Sequence, residues 1–316
     1  MQIIVNDFPW LRIMDFRDTG EILLTKYTRK YVELQGGENM IFITGDTHGD
    51  FGRVAEFCER IPTEKEDVLI ILGDAGINYY GGEHDQTTKE FLESLPITIF
   101  AIHGNHEMRP QSISTYHEAE WCGGTVFVED EYPHILFAKD GELYNIGGQR
   151  TFVIGGAYSV DKAYRLLHGY RWWPDEQPSD EIKRRVEEKL EQLHWDVDIV
   201  LTHTVPLRYE PVEVFLPGLN QNMVDKSTER WLGEMEEKLH YEKWYCGHYH
   251  TAKKIDKVEF MFDNFDEFLV NDSDYWENYN WCYECRGNGD DFRLDENGKL
   301  VSRCDGCSCH KNNGGT

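Results

Sequence analysis

Positive charge and long apolar runs are both scarce in this chain. Its 316 residues include 58 Asp or Glu against 32 Lys or Arg, a formal net charge of −26. Such a balance repels nucleic acid and anionic membranes at long range, which argues against a nucleic-acid binder built on a basic face. A small anionic ligand stays admissible, because a bound divalent cation reverses the local sign of a cleft. No stretch approaches the ~18 consecutive apolar residues of a membrane helix. The opening MQIIVNDFPW also lacks the basic flank and apolar segment of a secretory signal, so a cytoplasmic location is expected.

Cysteine is sparse until the last 35 residues. Cys58, Cys122 and Cys246 are scattered, whereas Cys282, Cys285, Cys304, Cys307 and Cys309 crowd the C-terminal stretch. A disulfide framework would spread through a small secreted chain, so clustering points to metal instead. Hydrophobic residues at 40% and charged ones at 28% fit an ordinary globular protein of one large domain, or one domain plus an appendage.

Short apolar runs at Met40–Thr44, Val68–Leu72, Ile97–Ile102, Thr151–Ile154, Ile199–Thr202 and Trp244–Cys246 read as buried strands, each closed by glycine or a polar residue. Helical spacing is expected over Phe51–Arg60, Thr87–Leu95, Ser179–His194 and about Ser227–His240. Ser179 fits an N-cap, and Ile182, Val186, Leu190 and Leu193 form an apolar stripe behind it. Strands alternating with helices predict an α/β layered fold. The strand-rich stretch Thr125–Gly155 predicts a second, mixed or antiparallel sheet packed on the first. Residues 1–39 read as accessory strands, 40–270 as the main domain and 271–316 as a tail. From Val258 to Cys285 there are eight acidic residues and no Lys, Arg or His.

Five segments place metal-ligand residues at or just after a predicted strand end: Gly45-Asp46-Thr47-His48-Gly49, Gly73-Asp74, Gly104-Asn105-His106-Glu107, His203, and Gly247-His248-Tyr249-His250. Ligands of open α/β sheets sit beyond the carboxyl ends of strands, so these loops should converge. Two divalent ions about 3.5–4 Å apart suit in-line displacement at phosphorus and need a bridging carboxylate with imidazoles around it. Alone, each segment has a bland reading, since an isolated histidine after a strand is usually structural. All five together, in order, point to a metal centre.

As a set, the segments resemble the five motifs of the calcineurin-like metallophosphoesterases, over about Met40 to Phe262. That resemblance implies a β-sandwich of two mixed sheets flanked by helices. It also implies Asp46, His48 and His250 on a first metal, Asn105, His203 and His248 on a second, and Asp74 bridging both. A metal-bound hydroxide would attack phosphorus, with His106 as general acid and Glu107 expected to orient His106. The donor set holds no thiolate and suits manganese, iron, zinc or nickel, the first two favoured. The second motif reads Gly73-Asp74-Ala75-Gly76-Ile77-Asn78, without the Asp-Arg-Gly extension of serine/threonine protein phosphatases. A small phosphate ester, with nucleotides among the candidates, is therefore expected ahead of a phosphoprotein. Arg150, Lys162, Arg165 and Arg171 are either substrate-phosphate contacts or solvated surface charge.

In the tail, Cys282-x-x-Cys285 and Cys304-x-x-Cys307 are 18 residues apart, the spacing of a four-thiolate structural zinc site, with Cys309 as an alternative to Cys307. A zinc-ribbon-like segment of this size folds only with metal. It would clamp the C-terminus or bind a protein partner, which leaves an adaptor role as the competing functional reading.

Overall fold

The computed structural model describes residues 39–268, apart from positions 82 and 219, and the backbone of 292–294 and 300–302. The accessory strands expected before residue 39, and the cysteines of the tail, lie outside the described residues. Contacts divide the chain into one unit of Gly37–Glu59 with Thr63–Val270, and another of Met1–Gly36, Arg60–Pro62 and Asn271–Thr316. In the second unit, β14 (Phe292–Leu294) and β15 (Leu300–Ser302) form an antiparallel hairpin with Arg293 opposite Val301.

The larger unit is built on two sheets. In the first, β1 (Ile41–Thr44), β2 (Val68–Ile71), β3 (Thr98–Ala101) and β6 (Tyr132–Ala138) run parallel. Antiparallel edges are added by β13 (Phe265–Glu267) beside β1, and by β5 (Gly124–Glu129) and β4 (His117–Trp121) beyond β6. In the second sheet, β8 (Gln149–Ile154), β9 (Ile199–Thr202), β10 (Lys243–Cys246) and β12 (Val258–Phe260) are parallel. Here β7 (Leu143–Ile146) and β11 (Lys253–Ile255) are the antiparallel edges. The expected fold of two mixed sheets flanked by helices is the observed one, although the strand-rich stretch 125–155 divides between the sheets, with β5 and β6 joining the first.

Side-chain alternation explains the layering. Ile199 and Leu201 of β9, Val153 of β8 and Tyr245 of β10 enter the core between the sheets, where they meet Ile43, Ile70 and Phe100 of the first sheet. Their neighbours Val200, Phe152, Ile154, Trp244 and Cys246 face the other way. They pack on α4 (Asp180–Gln192) and α5 (Ser227–Glu236) through Val186, Leu190, Trp231 and Met235. Because both faces are covered, these strands read as continuous apolar runs. On the far side of the first sheet, Phe57 of α1 (Gly52–Arg60) meets Phe42 edge-on at 4.9 Å.

Helix ends differ from expectation for local reasons. Ser179 caps α4 as predicted, its hydroxyl accepting from the Ile182 amide at 3.3 Å. The second helix, α2 (Glu83–Ser94), starts four residues before Thr87 because its first turn is acidic rather than apolar. By contrast, α5 stops at Glu236, short of His240, because the His240 amide donates to the Trp195 carbonyl at 2.7 Å and bridges the chain to Asp196, ahead of β9. A short helix, α3 (Lys162–His168), occupies the glycine-rich stretch after β8 and has no counterpart in the sequence reading.

Candidate metal centre

All five motif loops leave the carboxyl ends of parallel strands, β1, β2 and β3 in one sheet and β9 and β10 in the other. They meet across the gap between the sheets. The first two loops pair backbone to backbone, the His48 amide donating to the Asp74 carbonyl at 2.8 Å and Gly49 to Ala75 at 2.9 Å. Asp46 and Asp74 are buried at 3% and 2% exposure, and each gives one oxygen to a distant loop amide. Asp46 Oδ1 accepts from His248 N at 2.8 Å, and Asp74 Oδ1 from His106 N at 2.7 Å.

Glycines make these approaches possible. A side chain at Gly247 would collide with Asp46 Oδ1, and one at Gly104 with the amide and Oδ1 of Asp74. His48, Asp74, His248 and His250 themselves sit at φ of 47°, 47°, 68° and 48°, in the left-handed region that non-glycine residues avoid. Such backbone strain gathers where surrounding contacts over-determine a functional geometry.

The second carboxylate oxygens face imidazoles. Asp46 Oδ2 is buried without a hydrogen-bond partner, 3.3 Å from His250 Nε2 and 3.6 Å from His48 Nε2, which are themselves 2.9 Å apart. His203, fully buried, sets its Nδ1 on the Leu72 carbonyl at 2.7 Å. Its Nε2 then faces two oxygens, Asn105 Oδ1 at 2.9 Å and Asp74 Oδ1 at 3.6 Å. The Asn105 amide nitrogen donates to Ser159 Oγ at 2.9 Å, which turns Oδ1 inward. Lone pairs aimed at one another in this way are satisfied only by a proton or a cation between them. Three overlapping groups have ligand atoms close enough to share an ion: Asp46 with His48 and His250; Asp46 with Asp74 and His203; and His48 with Asp74 and His106. The donor chemistry fits divalent metal.

Electrostatics agree. Burial opposes ionisation of Asp74, yet the charges of His203, His106 and His48 hold its carboxyl well below the usual range. Burial likewise works against charge on His203, but Asp74 and Asp46 push it up to about 9. His248 is pushed down to about 3 by burial and by the charge of His203, so it offers a free lone pair.

Several side chains have roles the sequence did not disclose. Glu107 Oε1 accepts from the amides of Gly104 at 3.2 Å and Ala75 at 3.4 Å, so Glu107 braces two loops and does not touch the His106 ring. The ring of His106 instead meets Asp74 Oδ2 at 3.4 Å, Asp161 Oδ1 at 3.4 Å and Arg165 Nη2 at 3.1 Å. Of the four basic residues singled out, Arg165 reaches the site. Arg150 pairs with Asp196 at 2.7 Å, Lys162 lies over the Trp172 ring at 3.9 Å, and Arg171 lends its carbonyl to Arg165. Ser159, Asp161 and Arg165 carried no motif signal because they follow β8, which has no metal-ligand residue at its end.

Buried carboxylates ringed by imidazoles at the strand ends of a two-sheet sandwich form the donor set of a divalent-metal centre. The family model of the calcineurin-like phosphoesterases matches residues 40–252, and the chain belongs to that family. It is thus a metal-dependent phosphoesterase. No curated protein matches. Among solved structures, TT1561 of Thermus thermophilus is 13% identical, with 73% of this chain and 98% of that chain covered and a TM-score of 0.40. The protein of unknown function AQ665 from Aquifex aeolicus is also 13% identical, with 55% and 82% covered and a TM-score of 0.23. Likeness at that level bears on nothing further. No helix among the described residues is long and apolar enough to cross a membrane.

A histidine must shed its proton to ligate a metal. With His203 protonated up to about 9 in the metal-free protein, manganese binding should release protons at neutral pH and tighten as pH rises from 6 to 9. Calorimetry in two buffers of different ionisation enthalpy reads both effects. A buffer-independent enthalpy with flat affinity would contradict the expectation.

Proposed function

We propose that the protein hydrolyses small phosphomonoesters or phosphodiesters, nucleotides among the candidates, at a pair of divalent ions. Asp46, His48 and His250 would hold one ion, Asn105, His203 and His248 the other, and Asp74 would be shared. The observation that carries this reading is Asp46 Oδ2, a buried carboxylate oxygen with no hydrogen-bond partner, facing two imidazole nitrogens. Bound divalent ions supply charge for the phosphoryl oxygens and bring the pKa of water towards neutrality. The chain's own residues do the rest. Leu72 and Ser159 fix His203 and Asn105 in ligating orientation, and His106, at the edge of the carboxylate pair, donates a proton to the departing oxygen. The nitrogen and oxygen donors suit manganese, iron, zinc or nickel, and we favour the first two.

A small substrate is favoured over a phosphoprotein by the segment after Asp74. Ala75, Ile77 and Asn78 are fully buried, so this loop presents no counterpart to a substrate-facing arginine.

With manganese, the purified protein should hydrolyse mono- or bis-p-nitrophenyl phosphate. On phenyl phosphate, or its diester counterpart, whose leaving group needs a proton, His106→Ala should lower kcat by about 100-fold or more while both ions stay bound. Unchanged turnover would remove the acid role, and inactivity with every divalent metal would remove the function.

We further propose that Cys282, Cys285, Cys304 and Cys307 (or Cys309) hold a structural zinc and that this tail offers a surface to a protein partner. The paired Cys-x-x-Cys spacing supports the zinc. Elemental analysis should find one zinc per chain that Cys304→Ser removes, with manganese-dependent hydrolysis intact. Zinc content unaltered by that substitution would refute the tail site.

A further inference from the structure

Asp161 stands at the N-cap position of α3, where an aspartate usually accepts a helix amide, yet its side chain makes no such bond. It is turned to the metal centre instead. Asp161 Oδ2 accepts from Arg165 Nε at 2.7 Å. Oδ1, buried and without a hydrogen-bond partner, lies 3.4 Å from His106 Nε2. The opposite ring nitrogen, His106 Nδ1, looks the other way, 3.4 Å from Asp74 Oδ2. The imidazole thus has one edge on the proposed bridging carboxylate and its other edge on Asp161.

Arg165 holds this arrangement from the side. Besides Asp161, its guanidinium reaches the Tyr79 hydroxyl at 3.3 Å, the Arg171 carbonyl at 3.2 Å and His106 Nδ1 at 3.1 Å. Glu107, the other acid beside His106 in sequence, gives Oε1 to the Gly104 and Ala75 amides, and no hydrogen bond or ion pair joins it to the ring.

We infer, on the general-acid reading of His106, that Asp161 is its positioning residue, held in place by Arg165. An imidazole that delivers a proton from one nitrogen needs an acceptor at the other to fix its tautomer and rotation. Asp161 Oδ1 takes the Nε2–H; in the neutral ring Nδ1 accepts from Arg165 Nη2, and in the imidazolium that contact is given up and the Nδ1–H is presented to the leaving oxygen. The 3.4 Å separation is of the kind that tightens once substrate is bound. Helix α3 thereby becomes part of the site: its first residues set the angle of the acid.

The test separates positioning from general damage by varying the leaving group. Holoenzyme carrying manganese is assayed on phenyl, p-nitrophenyl and 2,4-dinitrophenyl phosphates, as wild type, Asp161→Ala, Arg165→Met, His106→Ala and the His106→Ala/Asp161→Ala double variant. Asp161 supplies no cap bond, so Asp161→Ala costs α3 none, and Arg165→Met is a second probe of the same link. Asp161→Ala should lower kcat about tenfold or more on the phenyl ester and little on the dinitrophenyl ester, which departs unprotonated. Arg165→Met should show the same trend more weakly, and the double variant should be no slower than His106→Ala alone. A crystal structure of Asp161→Ala should show the His106 ring turned or split between orientations. An equal loss across the series, multiplying losses in the double variant, or an unmoved ring would overturn the positioning role. Should His106→Ala itself lack leaving-group dependence, the acid reading falls, and the role of Asp161 with it.

Discussion

Two buried carboxylates divide their oxygens between backbone and site, and the rest of the centre follows from that division. Asp46 and Asp74 each anchor the amide of a loop distant in sequence through Oδ1, and each turns Oδ2 towards imidazole nitrogens. A lone buried carboxylate is costly, on the order of several kcal/mol even after relaxation. That cost is offset here by amides on one side and positive charge on the other. The amides fix where the loops run, and the loops fix where the histidines point.

The sandwich makes this division possible. Parallel strands in both sheets present their carboxyl ends on one side of the core, so loops after β1 and β3 meet loops after β9 and β10 without long excursions. Close approach then demands glycine at 104 and 247 and left-handed backbone at His48, Asp74, His248 and His250. The core beneath is apolar and fully buried at Ile70, Phe100, Leu201 and Tyr245, and it supports these strained turns from below. Rigid strands and strained loops are two halves of one device, in which packing free energy holds ligand atoms close together before any ion arrives.

Much of this was legible in the order of residues. Strands such as Ile199–Thr202 are visible because both faces are buried, which gives an unbroken apolar run ended by a ligand residue. Ser179 announces a helix because a hydroxyl there has a free amide to accept. Less visible was whatever depends on tertiary neighbours. The helix α3 carries no buried side chain, so no apolar stripe marks it. Asp161 looks like a cap and serves elsewhere. Glu107 neighbours His106 in sequence, but the backbone turn sends the two side chains to opposite tasks. The strand β13 is three residues long and pairs with β1 across more than 200 positions, a separation that no local pattern encodes.

A divided carboxylate pair implies a specific arrangement of heavy atoms around it. Crystals grown with manganese and measured at its absorption edge test this most directly. Two anomalous peaks about 3.5–4 Å apart are expected, with Asp74 between them and Asp46 Oδ2 bound to one. A single peak, or peaks that leave Asp46 Oδ2 without a metal neighbour, would contradict it.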